Sequence, residues 1–280
     1  MKCKKSIAVI SALLYCLAGI CQQVYVIPKQ TFQPYKILGL SERDYGIGYE
    51  ADTAKINFKM SIDSFEISSQ VTFKQYNLYL ESVKKDSTYN FYVSQLPDSN
   101  ITSKENYKAY ISDKKYDVFP VAGISWEAAM NYCKWRTTQE NKGTDFKFIY
   151  RLPKVSEWLA AYNLLKENDT PNDFNKNFSD WTMGLYFEGS YNFKVWSSFV
   201  YDVVYLQKPG DHDRDKRKRV IGDSYLFQRE KLVNHSSGYY AFSGYRQIAF
   251  RLVKEEIKNN DDSKSLHKNV LAYWGIEMNK

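Results

Sequence analysis

Two stretches of this chain share one local grammar, and together they constrain the fold more than any other feature. They are residues 120–135 and 150–161. In each, a short apolar lead runs into a turn. A serine able to cap a helix follows (Ser125, Ser156), and then an amphipathic pattern carrying a tryptophan (Trp126, Trp158). The spacing predicts a helix over about 126–141, with Trp126, Ala129, Met130, Cys133 and Trp135 inward. It predicts a second helix over about 155–167, with Trp158, Ala161, Leu164 and Leu165 as the core stripe. Residues 146–150 read as a strand between them. Trp126, Cys133, Trp135, Trp158 and Phe250 are expected in one core, because their spacing places them on the inner faces of two helices and a closing strand.

The remaining segments are shorter and less periodic. Residues 24–28 are a strand-like apolar run ended by Pro28, and residues 57–60 and 65–67 also read as strands. Residues 69–72 lead into a short amphipathic helix with Phe73, Tyr76, Leu78, Tyr79 and Leu80. Residues 84–118 are polar and Tyr-rich and read as an insertion loop with a little local structure. Residues 168–180 are rich in Asn and Asp and read as a surface loop. Residues 181–250 show only short strands and long loops, and residues 247–253 read as a buried strand. A charged linker over 254–265 then leads to an apolar patch at Val270, Leu271, Tyr273, Trp274 and Ile276.

The first 21 residues have the form of an export signal. Lys2, Lys4 and Lys5 precede an apolar run over 7–20, and Gly19 and Cys21 suit cleavage before Gln22. Cys21 also suggests lipidation, but Ile20 stands where a lipobox requires a small residue. No other segment is long and apolar enough to suggest a membrane span. The expected location is therefore the periplasm, the outer-membrane surface or the medium. Three of the four cysteines lie in the signal, which leaves Cys133 alone in the mature chain and no internal disulfide. Removal of the signal lowers the formal charge from +7 to about +4. About half of that net charge sits in residues 211–219, where acid and base interleave as in a solvated loop, so nucleic acid is not an expected partner. Aromatic residues make up 16% of the chain, with 24 Tyr and 6 Trp. They suit either an irregular core or a surface for sugars, peptides or proteins.

Four segments in order carry a family resemblance. They are residues 65–76, residues 120–135, residues 150–161 with Arg151-Leu152-Pro153, and Ala249-Phe250-Arg251-Leu252-Val253. The chain resembles the formylglycine-generating enzyme (sulfatase-modifying factor) family, with Gln70 where a Glu is usual and Ala249 where a Gly is usual. The resemblance implies an α+β fold: one C-type-lectin-like domain over 22–253 with short strands, two main helices and long loops. It is preceded by the 1–21 signal and followed by a charged linker and amphipathic tail over 254–280.

The departures bear on chemistry. The resemblance implies two copper-binding cysteines shortly before the closing strand, yet residues 234–246 hold none. Copper(I) prefers thiolates, so catalysis of the family type is not expected, and neither is a copper cofactor. His212, His235 and His267 are too scattered for a His-cluster metal site. The family's calcium segment has Lys194 and Ser197 where oxygen ligands are implied, so that site is not expected to be kept, although the sequence leaves its retention open. The carboxylates Glu127 and Glu157 follow helix starts and read as partners of the helix dipole. Arg151 and Arg251 read as donors to internal carbonyls.

The expectation is an exported, non-catalytic binding or structural module at the bacterial cell envelope, resembling gliding-motility and type IX secretion proteins. Two rivals stand beside it: a modifying oxidase with a relocated metal site, and a carbohydrate or peptide receptor using Tyr-rich loops. In the family an extended peptide lies in a groove near the C-terminal loops. The corresponding binding residues here are Tyr239, Tyr240, Phe242, Tyr245 and Arg246. The expected partner is a protein or peptide at the envelope, or a glycan.

Overall fold

Alternation of apolar and polar residues in short runs builds a five-stranded sheet across which distant parts of the chain meet. The computed structural model of the chain describes residues 12–17, 20–33, 59–143, 147–167, 178–186, 206, 217–222, 237–257 and 266–276. The sheet contains β1 (Ala12–Leu17), β2 (Ile20–Ile27), β5 (Phe65–Ser68), β11 (Val253–Glu256) and β6 (Phe148–Arg151), in that order. Every neighbouring pair is antiparallel. A small ribbon pairs β3 (Gln30–Phe32) with β4 (Met60–Ile62). A second sheet has the order β10 (Ile248–Ala249), β7 (Ser179–Tyr186), β8 (Arg217–Ile221), β9 (Ser237–Tyr239), with β10 parallel to β7.

Six helices surround these sheets among the described residues: α1 (Phe73–Asp86), α2 (Tyr89–Gln95), α3 (Lys104–Ser112), α4 (Trp126–Glu140), α5 (Val155–Glu167) and α6 (Leu266–Tyr273). Their starts follow from local chemistry. Thr72 and Gln75 form a reciprocal capping box on α1, with Thr72 N–H donating to Gln75 Oε1 at 2.8 Å. Ser125 Oγ accepts from Ala128 N–H at 3.1 Å and opens α4. Thr88 and Ser103 cap α2 and α3 in the same way. These last two helices correct the reading of residues 84–118 as a loop. Tyr76 and Tyr79 draw this insertion onto the core by donating hydrogen bonds to Gln95 O and Gln95 Oε1, both at 2.8 Å.

The five-stranded sheet separates two apolar clusters. On one face, α5 packs Trp158, Leu159 and Ala161 against Tyr25, Ile27, Ile67 and Val253. The larger cluster includes Tyr76 and Tyr79 of α1, Trp126, Tyr132 and Cys133 of α4, Phe250, and Val270, Leu271 and Trp274 from the C-terminal segment. Trp126, Cys133, Trp158 and Phe250 are thus all buried, but Trp158 belongs to the other cluster and Trp135 is only half-buried. The expectation of one shared core is corrected to two, because α5 carries Trp158 against Tyr25, Ile27, Ile67 and Val253, apart from the cluster that holds Trp126 and Phe250. Each cluster nevertheless draws on both ends of the sequence.

Further differences have physical reasons. Residues 247–253 are not one strand: Ile248–Ala249 joins the four-stranded sheet and Val253–Glu256 the five-stranded sheet. Residues 250–252 cross between them, which lets Arg251 be fully buried in the crossing. Lys254, Glu255 and Glu256, assigned to a linker, lie in β11. The apolar patch after it forms α6 and docks on the main cluster. Lys134 Nζ donates to Trp274 O at 2.7 Å and so satisfies a carbonyl just past that helix. Strand β1 lies within the segment read as an export signal and pairs with β2 at the sheet edge. No described helix is long and apolar enough to cross a membrane.

A buried carboxylate joins these layers. Asp180 Oδ2 accepts from Arg251 Nε at 2.5 Å and from Trp158 Nε1 at 2.9 Å, and Asp180 Oδ1 accepts from Gln70 Nε2 at 2.8 Å. Asp180 and Arg251 are 1% and 0% exposed. Replacing only one member strands a buried charge. Asp180→Ala is expected to lower stability by about 3–5 kcal/mol in urea denaturation, and more than Asp180→Asn, which keeps an acceptor.

Candidate functional site

The sequence-assigned binding residues occupy β9 and the turn after it, and the fold divides them. Tyr239 and Tyr245 are half-buried, with ring centroids 4.5 Å apart, and both meet Trp181 edge-on. Gln247 Nε2 donates to Tyr239 OH at 3.2 Å. Burial raises the Tyr245 phenol above its ordinary pKa, a cost only partly offset by hydrogen bonds. These two rings pack against the main cluster.

Tyr240 and Phe242 form a separate pair, stacked at 5.5 Å and 24°. The Arg217 guanidinium lies 5.2 Å from the Tyr240 ring centroid. Phe242 is 44% exposed, and Arg246 is exposed as well.

Phe242 lines a groove of about 300 Å³. The opposite wall comes from the insertion: Val93, Ser94 and Leu96 at the end of α2, then Pro97, Asp98 and Ser99, with Tyr107 of α3. Gly123, Ser125 and Gly244 complete the lining. The groove exists because three chain segments approach closely. Asp98 N–H donates to Gly123 O at 2.8 Å, and Gly123 N–H donates to Tyr245 O at 3.1 Å. Gly123 has φ +81°, a left-handed conformation that suits glycine. A Cβ on Gly244 would stand 1.8 Å from the Gly123 carbonyl oxygen, so glycine is required there by contact rather than by torsion.

Asp98, Ser94 and Tyr107 were not singled out from sequence. They lie in the stretch read as an insertion loop. The available signal was the cluster Pro97-Asp98-Ser99-Asn100, which has the composition of a turn that caps a short helix. Asp98 Oδ1 does accept from Asn100 N–H at 2.9 Å.

The other candidate groups are structural. Arg151 does not chiefly serve carbonyls, as the sequence suggested. It makes a two-pronged pair with Glu157 at 2.7 and 2.6 Å and a third bond to Glu255 at 2.6 Å. Burial alone would raise the Glu157 carboxyl, but the Arg151 charge and hydrogen bonds outweigh it and hold it below its ordinary pKa. Glu157 also accepts from Lys154 N–H at the helix start. Arg251 is likewise directed mainly at a carboxylate. His267 is buried on α6 with Nδ1 3.4 Å from Glu255 Oε1. Trp196, His212, His235 and the segment 193–202 lie outside the described residues. Among the described residues, no group of three or more His, Cys, Asp or Glu side chains converges as metal ligands do.

The end of the charged run 211–219 is also unlike its sequence reading. Residues 217–219 begin β8, and Lys218 and Arg219 are buried rather than solvated. Lys218 Nζ lies 4.0 Å from the Trp126 ring centroid. Burial pushes the Lys218 amine down from 10.5 to about 7, and the nearby Glu127 charge opposes this only in part. The unfolded chain therefore holds more protons than the folded one between about pH 7 and 10.5. Stability from this group rises with pH across that window, and below it the full cost of burying the ammonium persists. Wild-type protein should become more resistant to urea between pH 7 and pH 9. Lys218→Met should lose that gain and be at least as stable as wild type at pH 7.

Comparison with known proteins places the chain. Solved structures similar to it include one described as the crystal structure of CarF, with 15% identity and a TM-score of 0.47, covering 84% of this chain and 98% of that one. Another is Treponema denticola variable protein 1, with 13% identity and a TM-score of 0.49, covering 86% of this chain and 98% of that one. No curated protein matches the chain. The family of sulfatase-modifying factor enzyme 1-like domains matches residues 41–213, more than half of the 280 residues. The chain belongs to that family.

Proposed function

We propose that this protein is a non-catalytic member of its family, exported to the bacterial cell envelope, where it binds a partner. Within this reading the domain is of the C-type-lectin-like kind and has lost its family's chemistry. The observation that carries the proposal is the state of Cys133. Outside the segment read as a signal it is the only cysteine in the sequence. Its side chain is fully buried within α4, and burial raises the thiol well above its ordinary pKa, with the Arg151 charge opposing weakly. A thiol in that state is neither a nucleophile nor a metal ligand, since both roles need an accessible thiolate. Residues 234–246 supply no replacement.

The groove and the exposed turn support a binding role. The proposed surface comprises Tyr239, Tyr240, Phe242, Tyr245 and Arg246, with Phe242 reaching the groove and the buried tyrosines supporting the turn. Large rings offer contact area with little side-chain entropy to lose, so such a surface can persist without catalysis. An envelope role alongside gliding motility or type IX secretion is the specific form of this proposal. It is supported by the export-like first 21 residues and by the family resemblance.

The test is direct. Purified protein, incubated with a sulfatase-type peptide bearing one cysteine and with copper, should leave the peptide thiol unchanged by mass spectrometry and should retain no stoichiometric copper after dialysis. Conversion of the cysteine to formylglycine, dependent on this protein, would overturn the proposal.

A further inference from the structure

The groove between the insertion and the Phe242 turn has a polar complement that narrows what can occupy it. Two of the hydroxyls that line it donate within the protein. Ser94 Oγ donates to Phe91 O at 2.7 Å, and Tyr107 OH donates to Pro97 O at 2.7 Å. Asp98 adds a carboxylate, one oxygen of which serves the Asn100 N–H. Asp98 and Tyr107 thus offer a ligand acceptors, Ser94 Oγ keeps one lone pair beside the bond it accepts from Gln95 Nε2 at 2.7 Å, and Ser99 and Ser125 add two further hydroxyls. Of the backbone donors, the Asp98 and Gly123 N–H groups are bonded to Gly123 O and Tyr245 O. An extended peptide that binds by adding a strand needs free backbone groups, and at these two positions the donors are taken.

The apolar complement is the exposed Phe242 ring and, on the opposite wall, Val93, which is 43% exposed. Phe242 is steadied by Tyr240 stacked on it, and the groove is small, at about 300 Å³. A fitting ligand has one flat apolar face, several O–H donors and no negative charge to oppose Asp98. We propose that this groove binds a neutral saccharide, with the C–H face of one sugar ring on Phe242 and its hydroxyls donating to Asp98, Tyr107 and Ser94. This deepens the binding-module reading and rests on it. None of the three polar residues belongs to the aromatic surface assigned from sequence.

The experiment is saturation-transfer NMR on the full purified protein. The probes are the methyl glycosides of glucose, galactose, mannose and N-acetylglucosamine, with methyl glucuronide and N-acetyl-lysine methylamide as charged comparisons. At least one neutral glycoside should bind. Phe242→Ala and Asp98→Asn should each weaken that binding by about tenfold or more, with unchanged thermal unfolding. Asp98→Asn keeps an acceptor for the Asn100 N–H. Phe242→Ala removes an exposed ring, so the test does not depend on a variant that fails to fold. The glucuronide should bind more weakly than the neutral sugars. Absence of binding by every neutral glycoside, survival of binding in both variants, or preference for the glucuronide or the lysine derivative would each overturn the assignment. None of these results would touch the non-catalytic reading, which stands or falls on the peptide-conversion assay.

Discussion

The buried carboxylate of Asp180 is the constraint on which the rest of the structure depends. It lies on β7 and is held by Arg251 from the crossing between β10 and β11, by Trp158 from α5 and by Gln70 from the lead into α1. Four segments far apart in sequence are tied to one side chain. A buried charge without a partner costs roughly several kcal/mol, so the carboxylate and the guanidinium are buried together. Each justifies the other only if all four segments are in register. Such a node adds little net stability over an apolar core, but it penalises every arrangement that leaves one partner out. That penalty is useful in a domain with short strands, where backbone pairing alone specifies register weakly.

A second node works in the same way on the other side of β11. Arg151 joins β6 to α5 through Glu157 and to β11 through Glu255, and Glu255 in turn meets His267 on α6. The C-terminal helix is therefore attached by polar contacts as well as by Val270, Leu271 and Trp274. The Arg-Leu-Pro and Phe-Arg-Leu-Val segments thus owe their arginines to folding. Their guanidinium groups bond to Glu157, Glu255, Asp180 and the Ser68 carbonyl. A resemblance built on such segments carries the scaffold and is silent on the reaction.

This division of labour leaves the surface free to change. Gly244 and Gly123 hold the Phe242 turn against the insertion by close backbone approach, and the groove forms where the two meet. Its walls come from α2, α3 and a short turn, none of which contributes to the Asp180 node. Under the proposed binding role, those walls can vary without touching the Asp180 node.

The sequence by itself determined the helices that begin near Phe73, Trp126 and Val155, with Ser125 as a cap, but not α2, α3 or α6. The periodicity around Trp126 and Trp158 and the serine and threonine starts are local properties, and local physics decides them. It also determined that most of the chosen aromatic residues are inside. What only the tertiary structure decided was which of two cores each would join, since neighbouring strand residues face opposite ways and the pairing of β11 with β5 and β6 is not written locally. The same holds for Lys218, whose charged neighbours suggest a loop while its pairing across from Tyr239 places it under Trp126. The groove was least legible. Asp98 and Tyr107 share the insertion, but a long stretch of chain separates them from Phe242, and only the docking of the insertion against the Phe242 turn makes them neighbours.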